Sequence, residues 1–210
     1  MVFKPCRYTP ILLCFLLIRP SGLLSRQSYS YDPVFRWALK HPFAAAKVKR
    51  IYKNCTFIYD KKSLIPALDS FSNGGKLDAF RHIFYMAAFA QKISPSKVRS
   101  LGKAYEEKNH QSFLSGKESL QNRHDSISMV MDLHNNNLGI NLGLQNQTLN
   151  FEALKERVLA SISAGKALVI LRNRKGDYLD CQRHKIKEEL YLNNWCIPKC
   201  LLPSDLIYRD

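Results

Sequence analysis

Between Lys76 and Lys92 the chain is apolar almost all the way round a helix. Phe80, Ile83, Phe84, Met86, Ala87, Ala88, Phe89 and Ala90 leave no polar face wide enough to meet water. A surface helix carries a single apolar stripe, so one that is apolar on most sides has to be enclosed by other elements. The stretch therefore predicts a central helix with further helices packed around it. Ser72-Asn73-Gly74-Gly75 in front of it reads as a turn, because two glycines make positive φ available at little steric cost. A chain of 210 residues, 46% of them hydrophobic, has material for one substantial core but not for two domains and a leader.

The flanking segments supply the enclosing helices. Asp32-Pro33 is a capping carboxylate followed by proline at the first helical position, with Val34, Phe35, Ala38 and Leu39 as an apolar stripe up to Pro42. A second helix is predicted from Pro42 towards Tyr59, with Phe43, Ala46, Ile51 and Cys55 inward and Lys47, Lys49, Arg50 and Lys53 on its other face. Ser94-Pro95 starts another, with Val98, Leu101 and Tyr105 inside, and residues 108–124 read as a polar loop. Helix resumes near Asp125 and is expected to close at Gly139. Asn150 caps a last helix carrying Leu154, Val158, Leu159 and Ile162, and Gly165 ends it.

Beyond it the texture changes. Ala167-Leu168-Val169-Ile170-Leu171, a turn at Asn173-Arg174-Lys175-Gly176, and Asp177-Tyr178-Leu179 predict a small hairpin. The fold expected is mainly α: a single-domain helical bundle over residues 32–210, with its core motif in 74–142 and a C-terminal hairpin and cover over 166–210.

The first 25 residues read as a signal peptide or N-terminal anchor. Lys4 and Arg7 precede the apolar run Ile11–Ile18, which is shorter than the roughly 20 residues needed to span a bilayer. Residues 26–31 are a polar linker. The expectation is an exported protein, periplasmic, envelope-associated or secreted. Loss of Lys4, Arg7 and Arg19 lowers the formal charge from +15 to +12, a surplus that favours an anionic membrane or envelope surface. No aromatic and basic nucleic-acid signature accompanies it. Cys55, Cys181, Cys196 and Cys200 would remain, an even number that suits disulfides in an exported chain.

Groups able to do chemistry concentrate between Gly74 and Gly139. Asp78 and His82 are four apart and share a helix face, so the carboxylate can orient the imidazole, although Asp78 in a first turn also serves the helix dipole. Arg81 beside them is a fixed cation and a bidentate donor. Asp132 and Asn136 are again four apart, with Asp125 and Ser128 extending their stripe backwards. The candidate catalytic residues are His82, Arg81, Glu106, Asp132 and Asn136, and His82 with Asp132 could ligate a divalent metal. No phosphate-cradling glycine loop and no nucleophile elbow is present.

These blocks resemble an uncharacterised bacterial domain family of exported, wall-associated and toxin-like proteins. Its hallmark is Asp-Ala-Phe-Arg-His-Ala, then Ala-His-Glu, then Met-Asp-Leu-x-Asn-Asn-x-x-Gly. Here the blocks stand as Asp78-Ala79-Phe80-Arg81-His82-Ile83, Ala104-Tyr105-Glu106 and Met131-Asp132-Leu133-His134-Asn135-Asn136-Asn137-Leu138-Gly139. The likeness spans about residues 74–142, and Tyr105 departs from the family's histidine. The resemblance implies a mainly helical fold and no established reaction.

Two functions remain open at the level of the sequence. One is a hydrolase acting on an envelope substrate, phospholipid or wall polymer, through a histidine and carboxylate pair or a metal. The other is a non-catalytic envelope-associated binding or scaffold module in which the same residues form a buried polar network.

Overall fold

A computed structural model describes residues 32–59, 64, 66–116, 124–191 and 194–206. The expected export segment and linker lie outside the described residues. Among those described, six α-helices are followed by a two-stranded antiparallel sheet, the mainly α single domain predicted above. The helices are α1 Pro33–Lys40, α2 Pro42–Cys55, α3 Lys76–Ala90, α4 Pro95–Leu114, α5 Ser126–Gln145 and α6 Phe151–Ser163. The strands are β1 Leu168–Ile170 and β2 Leu201–Pro203.

Side-chain oxygens start four of the helices by accepting from backbone amides that have no helical partner. Asp32 accepts from Val34 and Phe35, Asp125 from Ile127 and Ser128, and Asn150 from Ala153. For α3 the acceptor comes from the loop before it: the buried Asp69 carboxylate takes the amides of Phe71, Lys76 and Leu77. Gly74 turns the chain into α3 with φ of +77°, a value L side chains resist.

The all-round apolar helix is central, as its composition predicts. Leu77, Phe80, Ile83, Phe84, Ala87 and Ala88 are all buried, and α3 meets α2, α4, α5, α6 and β1. Its closest neighbour is α5. Contacts pair residue 82 with 136, 83 with 139 and 87 with 143, numbers that rise together, so the two helices run parallel.

That pairing overturns the expected end of α5. Gly139 does not close the helix, which continues to Gln145. A Cβ at Gly139 would stand 2.3 Å from the Ile83 carbonyl oxygen, and one at Gly143 would stand 2.3 Å from that of Ala87. Both glycines are there for backbone approach. At the far end Gln91 fastens the pair, its amide donating to the carbonyls of Asn146 and Leu149.

Other inward faces differ from expectation. In α1 it is Trp37 that is buried, its indole donating to Ser100 Oγ at 2.9 Å, and this rotation leaves Phe35 and Leu39 half exposed or more. In α2 the buried line runs through Ala44, Ile51 and Cys55, so Ala46 is exposed and Phe43 is 87% exposed. In α4 the inner line passes through Val98, Gly102 and Glu106, which turns Tyr105 out. The polar segment after residue 108 is not all loop, because helix persists to Leu114 and buries Phe113 against Trp195.

In the C-terminal part, β1 pairs with β2 in the register Leu168↔Pro203, Val169↔Leu202 and Ile170↔Leu201. The expected turn at 173–176 is present and is closed by a single bridge, Arg172↔Tyr178. Asn135 ties this cover to the bundle by exchanging two hydrogen bonds with the backbone of Leu168. One disulfide joins Cys181 to Cys200, while Cys55 and Cys196 are free.

Candidate functional site

The parallel packing of α3 and α5 brings the two polar blocks together. The ring of His82 is held from one side by Asn136, whose Oδ1 lies 3.1 Å from Nδ1. With an amide oxygen there, Nδ1 carries the proton and Nε2 presents its lone pair. Around Nε2 stand Asp132 Oδ1 at 3.3 Å, Asp78 Oδ1 at 3.6 Å and Arg81 Nη2 at 3.2 Å.

Asp78 has two tasks. Its Oδ2 accepts from the Gly74 amide at 2.7 Å and its Oδ1 from Arg81 Nη2 at 2.5 Å. The first is structural and serves the turn into α3. The cue for the second was its spacing of three from Arg81 and four from His82 on one helix face.

Glu106 enters from α4. It is buried, one oxygen has Asn109 at 3.4 Å, and the other, Oε1, has no hydrogen-bond partner. Asp132 Oδ1 likewise has no conventional partner apart from its approach to the imidazole. Orphaned buried oxygens are costly unless they are protonated or bind something.

The electrostatics follow from this crowding. Burial holds the His82 imidazole below its ordinary pKa; Asp78 opposes the shift and Arg81 adds to it. Burial first, and the Asp78 charge second, raise Asp132 well above the usual carboxylate range. Glu106 is pushed up to about 8, by burial and then by Asp132. Burial disfavours the Arg81 charge, but Asp78 more than offsets it. Burial thus disfavours the charged form of both the imidazole and the Asp132 carboxyl, which stand 3.3 Å apart.

The site opens on a cavity of about 810 Å³. Arg81, His82, Glu106, Asp132 and Asn136 make its polar side. Its apolar side comes from α1, α2, α3 and α4, and includes Val34, Val48, Met86, Phe89 and Leu101. Thus all five candidate residues line one chamber. His124 lines it too, and Tyr85, one turn on from His82, stacks on Tyr52 at its wall.

Neighbouring polar groups on α5 point elsewhere. Asp125 faces the buried Lys199, with which it forms an ion pair across to the cover, and Ser128 is sealed in the core. His134 is exposed and meets the Lys166 carbonyl at 3.0 Å. The Asp125–Lys199 pair was not foreseen, because nothing local marks residue 199.

Three of these side chains could hold a divalent cation. Asp78, His82 and Asp132 each offer one ligand atom, and the three lie within 4.8 Å of one another. Two carboxylates and an imidazole suit such an ion. Arg81 Nη2 stands among the same atoms, so guanidinium and metal would compete for one place.

Comparison with known proteins gives no match among curated sequences and none among solved structures. One family model does match, over residues 35–166, from the first helix through the last. That span holds every residue of the site just described and more than half of the chain. The chain belongs to the family described as "Domain of unknown function (DUF6973)".

Proposed function

We propose that this protein is a hydrolase, exported and acting on a cell-envelope substrate, with the chamber between α3, α4 and α5 as its active site. The observation that carries the reading is an imidazole oriented by Asn136, with the Asp132 carboxyl 3.3 Å from its Nε2, on the wall of a large open cavity.

In this reading His82 is the general base. Nε2 takes a proton from the attacking water as its oxygen bonds to the electrophilic centre, and the proton then passes to the departing oxygen as that bond breaks. Asp132 stabilises the imidazolium formed in between, and Asn136 keeps the ring in the required tautomer. Arg81, with 43% of its side chain exposed, can meet negative charge on the substrate. Glu106, protonated at neutral pH by its pKa of about 8, is a donor beside the same cavity. A divalent cation at Asp78, His82 and Asp132 would supply the alternative charge compensation.

Export is supported by the signal-like first 25 residues and by the Cys181–Cys200 disulfide, since disulfides persist in oxidising compartments. The resemblance to bacterial exported, wall-associated and toxin-like proteins supports the envelope as its place of action.

The test is a panel of ester, phospholipid and wall-polymer substrates, with and without divalent ions, run on the wild type and on His82→Ala. Turnover in the wild type that falls about 10²–10⁴-fold in the variant, with the melting transition kept, bears the reading out. Absence of turnover on every substrate, with His82→Ala merely less stable by a few kcal/mol, would show a buried structural network instead.

A further inference from the structure

We propose that the substrate is an anionic phospholipid taken from a membrane, and that the α1–α2 edge with the mouth of the chamber is the surface that docks on the bilayer. The proposal rests on the hydrolytic reading of the His82 site and adds the substrate class and the docking face.

Four residues that line the chamber are also exposed, and so mark its mouth: Lys49 and Tyr52 on α2, and Tyr105 and Lys108 on α4. Tyrosine and lysine together are the side chains that settle at headgroup level, the ring among the upper acyl chains and the ammonium at the phosphates. Behind this mouth the chamber divides into one polar and one apolar side. A fatty-acyl ester has the same division, with the carbonyl for the polar side and the chain for the apolar one. A volume of about 810 Å³ falls within the roughly 300–1,000 Å³ of sites that enclose small molecules.

Charge points the same way. From Asp32 to Tyr59 there are six basic side chains and one acidic, Asp32, which pairs with Lys108 at the mouth. Arg36 is paired with Glu107, while Lys49, Arg50 and Lys53 lie exposed on α2. The same edge exposes Leu39 by 65%, Phe43 by 87% and Phe57 by 68%. Exposed large apolar groups among lysines and arginines are the composition of an interfacial helix on anionic lipid, where each added cation contributes about 1 kcal/mol. The reaction is ester hydrolysis: water adds to the acyl carbon, the carbon–oxygen bond to the glycerol breaks, and a fatty acid and a lysophospholipid leave.

Co-sedimentation of the full chain with phosphatidylcholine vesicles, and with vesicles containing phosphatidylglycerol, tests the docking. His82→Ala is used alongside the wild type so that binding is read without turnover. Both should bind the anionic vesicles preferentially, and Lys49→Gln/Lys53→Gln should weaken that binding roughly thirtyfold, two cations' worth. Circular dichroism checks that this variant keeps its fold. The wild type should release fatty acid from the anionic vesicles. Equal binding to both vesicle types, or binding indifferent to the two lysines, overturns the docking face. Selective docking with no fatty acid released, with or without divalent ions, overturns the substrate. Hydrolysis of soluble esters or wall polymer without vesicle binding overturns the lipid proposal and leaves the hydrolytic site standing.

Discussion

His82 Nε2 lies 3.3 Å from Asp132 Oδ1 across two parallel helices, although fifty residues separate the pair in the chain. At that spacing the charge of each side chain bears on the proton affinity of the other, so the two should act as one functional unit. Asp132→Asn preserves the shape of the carboxylate and removes its capacity to balance an imidazolium. In assays on the substrate identified, Asp132→Asn and His82→Ala should each lower kcat by about 10²–10⁴-fold. The double variant should be little worse than either single one, because groups that act as a unit are not additive. Fully additive losses would show that they work separately.

Glu106 contributes to the pH dependence of stability, together with its shifted neighbours His82 and Asp132. Its folded pKa of about 8 stands above the ordinary carboxylate value of 4.5, so the folded state holds a proton that the unfolded chain has released between those two pH values. Stability from this group therefore falls as pH rises from 4.5 towards 8. Glu106→Gln keeps the neutral shape and removes the titration. Its melting temperature should exceed that of the wild type at pH 8, with the advantage shrinking to nothing below pH 4.5. A gain that does not vary with pH would point to packing instead.

Gly139 is pressed against the backbone of Ile83, where a methyl group would meet a carbonyl oxygen at 2.3 Å. Neither backbone can yield cheaply. Gly139→Ala should cost about 1–3 kcal/mol or more in denaturant unfolding. It should also lower activity further than that loss of folded protein explains, since the same helices carry His82 and Asp132. Gly102 is the control for the stability loss alone, because its neighbour Asn136 belongs to the site. A Cβ there meets the Asn136 side chain at 3.1 Å, a contact that a small shift relieves, so Gly102→Ala should be milder.

Arg81 and a divalent cation would occupy the same ground. Calorimetric titration with Mn²⁺ or Zn²⁺ should show that Arg81→Gln binds at least about tenfold more tightly than the wild type, a gain of roughly 1.4 kcal/mol. Unchanged affinity would mean that the guanidinium does not guard that position.

Much of this site was legible in the letters. The apolar circumference of α3 announced a central helix, and spacings of four brought Asp78 to His82 and Asp132 to Asn136 on their own faces. What periodicity could not supply was the phase of the outer helices. Phe35, Phe43 and Tyr105 look inward by hydrophobicity, yet they are turned out because Trp37, Ala44 and Glu106 take the inner positions. A buried glutamate is a poor sequence bet, and its place here follows from the polar chamber it faces. Gly139 misled for a related reason: a glycine in a helical run is a stop by local propensity and a seam by tertiary contact, and only the partner strand of backbone decides. Lys199, paired with Asp125 from far along the chain, had no local signal at all.

The glycine seam between α3 and α5 acts as a gauge block. With nothing but hydrogens in the joint, the spacing of the two backbones that carry His82 and Asp132 is set by main-chain contact. Filling that joint with even one methyl group would therefore loosen the fold and part the two polar rows in a single stroke.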